Sequence, residues 1–338
     1  MIYYWGQTYE VNEETKRMGP LMTAAIKYQE QFPDYFSPHS SWIDKYNRLY
    51  IRWEMEDRRE NRPVWRYYYD AEKNFCAEEI PRNHSKAERL RGENPYKPVI
   101  LITGDTHRRF ERLISFSRKY GTIEGDTMII LGDAGINFYG GFKDEMLKHR
   151  LSDLGIKIFS IHGNHEMRPE ATGLYKEVEW CGGKVYVEDE YPNLIFAKDG
   201  EIYDINGYKT IVIGGAYSVD KFYRLEKGYQ WFPDEQPTEE TKAFVERQLD
   251  SVGWDVDVVL SHTVPYQYRP IDLFIRGLDQ STVDSSTEKW LTEIESRLIY
   301  KKWYAGHYHC DRDVNNLKIM YRKVCLFMDD TDLKFEME

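Results

Sequence analysis

At 338 residues with 41% hydrophobic side chains, the chain exceeds one average domain and can fill a substantial core. A net charge of −11 repels polyanions at long range, which argues against a large non-specific nucleic-acid surface but leaves room for a nucleotide held locally. Met1 to Gln7 lack a basic region leading into a long apolar stretch, and no later apolar run reaches the length of a membrane span, so a cytoplasmic protein without membrane association is expected.

In chain order, a short helix is predicted between Pro20 and Pro33. Ile51, Trp53 and Met55 then alternate with Arg52, Glu54 and Glu56, the period of a half-buried strand. Val64 to Tyr69 is a β-favouring aromatic run, and the two segments are expected to pair as a hairpin across Asp57 to Pro63. The polar, proline-bracketed stretch from Ile80 to Pro98 reads as a linker. Residues 1–96 carry 15 basic and 16 acidic side chains, so nearly all the negative charge lies beyond them. They are expected to be a small α+β appendage that shapes substrate access, followed by a second domain over residues 97–338.

In that domain Val99 to Ile102 is a predicted strand and Phe110 to Tyr120 a helix. Met128 to Leu131, Lys143 to Leu154 and Ile156 to Ile161 repeat the cycle as strand, helix and strand. This β-α-β-α-β order predicts a parallel arrangement with sites at the carboxyl ends of the strands. Further strands are expected at Val185 to Val187, Leu194 to Phe196, Thr210 to Ile213, Val256 to Leu260 and Trp303 to Ala305, and helices at Glu239 to Ser251 and Thr287 to Tyr300. Ser285 and Glu288 form a candidate capping box for the last helix. Tyr217 to Gln236 reads as a long ordered loop near the site. Cys76, Cys181, Cys310 and Cys325 are widely spaced, form no C-x-x-C pair, and are expected to be reduced thiols, mostly core filler.

Five short clusters each follow an apolar run: Gly104-Asp105-Thr106-His107, Gly132-Asp133, Gly163-Asn164-His165-Glu166, Ser261-His262 and Gly306-His307-Tyr308-His309. Any one of them alone has an ordinary structural explanation, such as a turn aspartate or a satisfied strand-end histidine. Together they use five of the nine histidines and supply enough oxygen and nitrogen ligands for two metal ions sharing one carboxylate. Adjacent ions of that kind are used in the hydrolysis of phosphate esters.

The ordered set G-D-x-H, G-D, G-N-H-E, H and G-H-x-H resembles the calcineurin-like metallophosphoesterase superfamily over roughly residues 98–330. The resemblance implies an α/β fold, a four-layer α/β sandwich with two mixed β-sheets. By motif, Asp105, His107, Asp133 and His309 would hold one divalent ion, and Asp133, Asn164, His262 and His307 the second, with Asp133 as the bridge. A hydroxide between the ions would attack phosphorus, while His165 would stabilise the transition state or protonate the leaving oxygen. Mixed Asp, Asn and His ligation suits manganese, iron, zinc, cobalt or nickel, with manganese slightly favoured. Arg108, directly after the first motif, is a candidate to hold a substrate phosphate.

Members acting on phosphoserine and phosphothreonine proteins typically continue the second motif as G-D-x-V-D-R-G. There an aspartate orients the histidine of G-N-H-E and an arginine grips phosphate. Here Ile136 and Asn137 stand in those places. The expected substrate is therefore a phosphodiester or a nucleotide-type ester. The alternatives are a Ser/Thr protein phosphatase and a non-catalytic module that binds a phosphorylated partner through its metals.

Overall fold

The computed structural model describes residues 97–329 apart from 121, 123–124 and 275–280, together with 332–333; before residue 97 it describes six strands. The chain divides into two compact units, Met1–Lys97 and Pro98–Glu338.

In the first unit, β1 (Ile2–Tyr4) and β2 (Gln7–Tyr9) pair antiparallel. β3 (Pro38–Ile43), β4 (Leu49–Trp53), β5 (Val64–Tyr69) and β6 (Phe75–Ile80) form an antiparallel four-stranded sheet in sequence order. The expected hairpin is its middle pair, with Ile51 opposite Trp65. The helix expected between Pro20 and Pro33 and the linker after Ile80 lie outside the described residues.

The second unit opens with β7 (Ile100–Thr103), α1 (Glu111–Tyr120), β8 (Thr127–Ile130), α2 (Phe142–Ser152) and β9 (Lys157–Ser160). The three strands are parallel neighbours, as the alternation of apolar runs predicts. After a one-turn α3 (Pro169–Thr172) come β10 (Lys176–Trp180), β11 (Gly183–Val187), β12 (Leu194–Ala197), β13 (Ile202–Ile205) and β14 (Tyr208–Ile213). α4 (Lys221–Lys227), α5 (Glu239–Ser251), β15 (Val258–Ser261), α6 (Ser286–Arg297), β16 (Lys302–Ala305), β17 (Arg312–Val314), β18 (Leu317–Ile319), β19 (Val324–Leu326) and β20 (Asp332–Leu333) follow.

Two mixed sheets result. One runs β10-β11-β12-β9-β8-β7-β19-β20 and the other β13-β14-β15-β16-β18-β17. Alternation along the strands sorts side chains to two faces. Val212, Val258, Leu260 and Tyr304 meet Ile102, Ile129, Leu131 and Phe159 of the first sheet in a buried core. Their neighbours Ile211, Ile213, Val259 and Trp303 pack instead on Val245 and Leu249 of α5 and on Trp290, Leu291 and Ile294 of α6. On the far side of the first sheet, α2 packs against β12. Helix, sheet, sheet and helix give the expected four-layer α/β sandwich. Among the described residues no helix is long and apolar enough to cross a membrane.

Three local expectations need correction. Ser285 makes no capping bond; its Oγ accepts from Arg269 Nη1 at 3.2 Å, while Glu288 is drawn to the buried Thr263 hydroxyl at 2.9 Å. Asp284 accepts the Ser286 amide at 2.9 Å instead, so a different side chain serves that helix end. The stretch from Tyr217 to Gln236 is not all loop, since α4 lies inside it. Of the thiols, Cys325 sits in the core between the sheets, but Cys181 is exposed.

Candidate dimetal site

All five clusters leave the carboxyl ends of parallel strands. Asp105 and His107 follow β7, Asp133 follows β8, and Asn164 and His165 follow β9; His262 follows β15, and His307 and His309 follow β16. The first sheet thus contributes four of the seven donors and the second sheet three.

Close approach demands glycine where the clusters interlock. A Cβ on Gly163 would fall 2.1 Å from Asp133 Oδ1, and one on Gly132 would fall 2.2 Å from His262 Nδ1. The donors themselves also adopt uncommon backbone. His107, Asp133, His307 and His309 have φ of 45°, 48°, 69° and 50°, the left-handed region that non-glycine residues enter at a cost of about 1–3 kcal/mol each.

Asp133 lies between two groups of donors. Its Oδ2 is 3.8 Å from His107 Nε2 and its Oδ1 is 3.6 Å from His262 Nε2. The His165 amide donates to the same Oδ1 at 2.7 Å. Burial raises the proton affinity of this carboxyl, but the His262, His165 and His107 imidazoles outweigh burial, and its pKa falls below the ordinary carboxylate range.

On one side, Asp105 Oδ2 is 3.7 Å from His107 Nε2 and 3.3 Å from His309 Nε2. That oxygen is buried without a hydrogen-bond partner. The two imidazole nitrogens stand 2.7 Å from each other, and His309 stacks on Tyr321 with ring centroids 4.7 Å apart. On the other side, His262 Nδ1 donates to Leu131 O at 2.8 Å, which leaves Nε2 with its lone pair directed 2.8 Å from Asn164 Oδ1. Asn164 donates through Nδ2 to Ser218 Oγ at 2.8 Å, so its oxygen faces both His262 and His307 Nδ1, the latter at 3.0 Å.

Acceptor therefore faces acceptor in a buried site, a pattern that a cation resolves. Asp105, His107 and His309 form one group with metal-ligand spacing, and Asp105, Asp133 and His262 another. The residues present fit a pair of ions. Cys310, beside His309, is not among them; burial raises its thiol pKa, and it packs against the core of the second sheet.

Other residues set the loops. Glu166 accepts the Gly163 amide at 3.1 Å and the Gly135 amide at 2.9 Å, tying the third cluster to the second. Burial and the neighbouring Asp133 push its pKa up to about 8. Arg108 directs its guanidinium to Gly135 O at 2.6 Å, Asp144 at 2.5 Å and Lys143 O at 2.8 Å. Asn137 is buried and accepts the Tyr175 hydroxyl at 2.8 Å, and Ile136 is buried and has no polar group with which to orient His165.

Of these, Glu166 was visible in its motif but carried no assignable role, and Ser218 gave no signal at all. Its contact with Asn164 is tertiary and spans 54 positions of sequence.

A family model described as calcineurin-like phosphoesterase matches residues 98–311. Among solved structures, TT1561 of Thermus thermophilus is similar at 13% identity with a TM-score of 0.36, covering 66% of this chain and 88% of that one. A second has the same identity and TM-score over 69% of this chain and 94% of its own. A search of curated proteins found no match.

Proposed function

Because the chain belongs to the calcineurin-like phosphoesterase family and is thereby a metal-dependent phosphoester hydrolase, we propose that its substrate is a phosphodiester or a nucleotide-type ester. Asp105, His107, Asp133 and His309 hold one ion in this reading, and Asp133, Asn164, His262 and His307 the other. The observation that carries it is Asp133, which turns one oxygen to each donor group. When bound, the ions supply charge neutralisation at the phosphoryl oxygens and acidify water, and manganese is our first choice among the metals this donor set suits.

The chain's own residues then divide the work. His165 is anchored through its amide to Asp133, and burial, partly opposed by Asp133, holds its ring pKa below the usual histidine value. Its ring would donate a hydrogen bond to the leaving oxygen and stabilise the charge that grows there as the bond to phosphorus breaks. Glu166 keeps the loops of the second and third clusters in register through two amides. The side chains that replace the orienting aspartate and gripping arginine of protein phosphatases, Ile136 and Asn137, are committed to the protein interior, which disfavours a phosphoprotein substrate. We place the protein in the cytoplasm.

The test is a comparison of bis(p-nitrophenyl) phosphate, nucleotides and phosphoserine peptides at matched metal concentration. The first two should turn over with the higher kcat/KM. The reverse ranking would put a Ser/Thr protein phosphatase first, and a fully metal-loaded protein that turns over none of them would leave a phosphate-binding module.

A further inference from the structure

Among the described residues, Glu166, Glu235 and Glu288 are buried. Glu166 takes two loop amides and Glu235 takes Trp231 Nε1 at 2.8 Å. Glu288, the third residue of α6, is different. A glutamate in the first turn of a helix ordinarily stays in water or reaches back to the cap. Here its Oε1 accepts the Thr263 hydroxyl at 2.9 Å and the Tyr308 hydroxyl at 3.5 Å, and its Oε2 is buried without a hydrogen-bond partner. Burial raises the proton affinity of this carboxyl. A carboxyl enclosed with so few partners costs stability, and an apolar side chain would fill the same space at less cost. Holding the fold together does not account for it.

What Glu288 joins is the fourth cluster to the fifth. Thr263 directly follows His262, and its backbone is fixed in turn, since Ser261 Oγ accepts Trp303 Nε1 at 2.7 Å and donates to Thr263 O at 2.5 Å. Tyr308 stands between His307 and His309, and its ring meets the His307 ring edge-on with centroids 4.9 Å apart. The Thr263 and Tyr308 hydroxyls lie 3.3 Å from each other. His307 is thereby boxed between Tyr308 and the His262 ring, whose centroid is 5.1 Å away.

We propose that Glu288 is a positioning residue for the ion that His262 and His307 share. Through Thr263 it fixes the turn that presents His262 Nε2, and through Tyr308 it fixes the ring against which His307 rests. Both imidazoles are then aimed at Asn164 Oδ1 before an ion arrives. Glu288 itself touches neither ion nor substrate. It does from α6 for the ligands of the second sheet what Glu166 does for the loops of the first. The inference rests on the ligand set given above.

The experiment takes the whole chain, stripped of metal with a chelator, and titrates it with Mn²⁺. Melting of the metal-free protein and kinetics on bis(p-nitrophenyl) phosphate run alongside, for Glu288→Leu, Glu288→Gln, Glu288→Leu with Thr263→Val, and His307→Ala. Metal-free Glu288→Leu should melt no lower than wild type, because it removes an enclosed carboxyl and leaves the two hydroxyls to each other. It should nevertheless bind the tighter of two Mn²⁺ ions about 10-fold more weakly, the scale seen when a residue that orients a metal ligand is lost. Its rate loss should be restored by excess Mn²⁺ with KM unchanged. Glu288→Gln keeps an oxygen for Thr263 and should recover most of the affinity. The double variant should bind no more weakly than Glu288→Leu alone.

Wild-type Mn²⁺ affinity in Glu288→Leu, with His307→Ala weakened, overturns the positioning role alone. So does a metal-free Glu288→Leu chain that melts well below wild type or does not fold, which would make Glu288 a part of the fold. Glu288→Gln as weak as Glu288→Leu overturns the hydrogen bond to Thr263 as the carrier. Unchanged Mn²⁺ binding in His307→Ala removes the ligand set, and the positioning role with it.

Discussion

The two donor groups differ most in what surrounds them. Asn164 and His262 are sealed in protein, their positions set by Ser218 and by Leu131 O. His107 and His309 stand at the surface, with side chains 28% and 48% exposed, and are aligned by each other and by Asp105. The proton affinities diverge in step. Protein packed around the His307 ring pushes its pKa down to about 3, while contact with Asp105 raises that of His309 despite partial burial. The sealed half is therefore pre-arranged as a set of lone pairs, and the open half is assembled by the ion that enters it. An ion held in the first should exchange slowly and one held in the second readily.

The largest effect should come from deleting one imidazole on each side. His262→Ala should abolish measurable hydrolysis, at least about 100-fold down, and leave the protein short of metal even when metal is in excess. His309→Ala should also be slow, but excess metal should recover much of its rate. Metal analysis and rates at increasing metal concentration decide it, and equal rescue of both variants would erase the distinction between the halves.

Acidification probes the same contrast. A histidine must be neutral to ligate, so protons compete sooner for His309, whose pKa is raised, than for His307, whose pKa is lowered. As pH falls, metal content should drop from two ions per chain in two steps, with the open position emptying first. His309→Ala should abolish the first step, and a single step in the wild-type protein would contradict the ordering.

A smaller effect is expected in stability. An ion present at 100 times its dissociation constant adds about 2.7 kcal/mol, a few degrees of melting temperature for a unit of this size. Because the sealed position binds more tightly, His309→Ala should keep most of the shift on metal addition and His262→Ala should lose it.

Much of this was legible in the sequence because it is written locally. Apolar runs of four ending in Gly-Asp or Gly-Asn place the donors at strand ends, and strand alternation places the sheets. Lys176-Glu177-Val178-Glu179-Trp180 was not legible as a strand, since β10 lies at the edge of its sheet and carries three charged side chains that face solvent there. The seven-residue α4 was hidden by the aromatic, Gly- and Pro-rich segment around it. The direction of Arg108, the turn of Glu288 toward Thr263 and the reach of Ser218 to Asn164 are all tertiary. No periodicity encodes them. Nor does composition reveal that four donors are held at positive φ, because the surrounding contacts, not the residue types, impose it.

The division of donors between the sheets also has a mechanical side. Asp105, His107, Asp133 and Asn164 follow strands of one sheet and His262, His307 and His309 strands of the other, so ions held in common would clasp one rim of the sandwich. Elsewhere the sheets meet through apolar packing, which resists sliding less than a coordinated joint would. Breathing of the two sheets would then pivot about the clasp, with the widest excursions at β10 of one sheet and at β13 and β17 of the other, the strands farthest from those that carry it. Substrate entry gains nothing from such motion at the pivot, and falls to the loops above it.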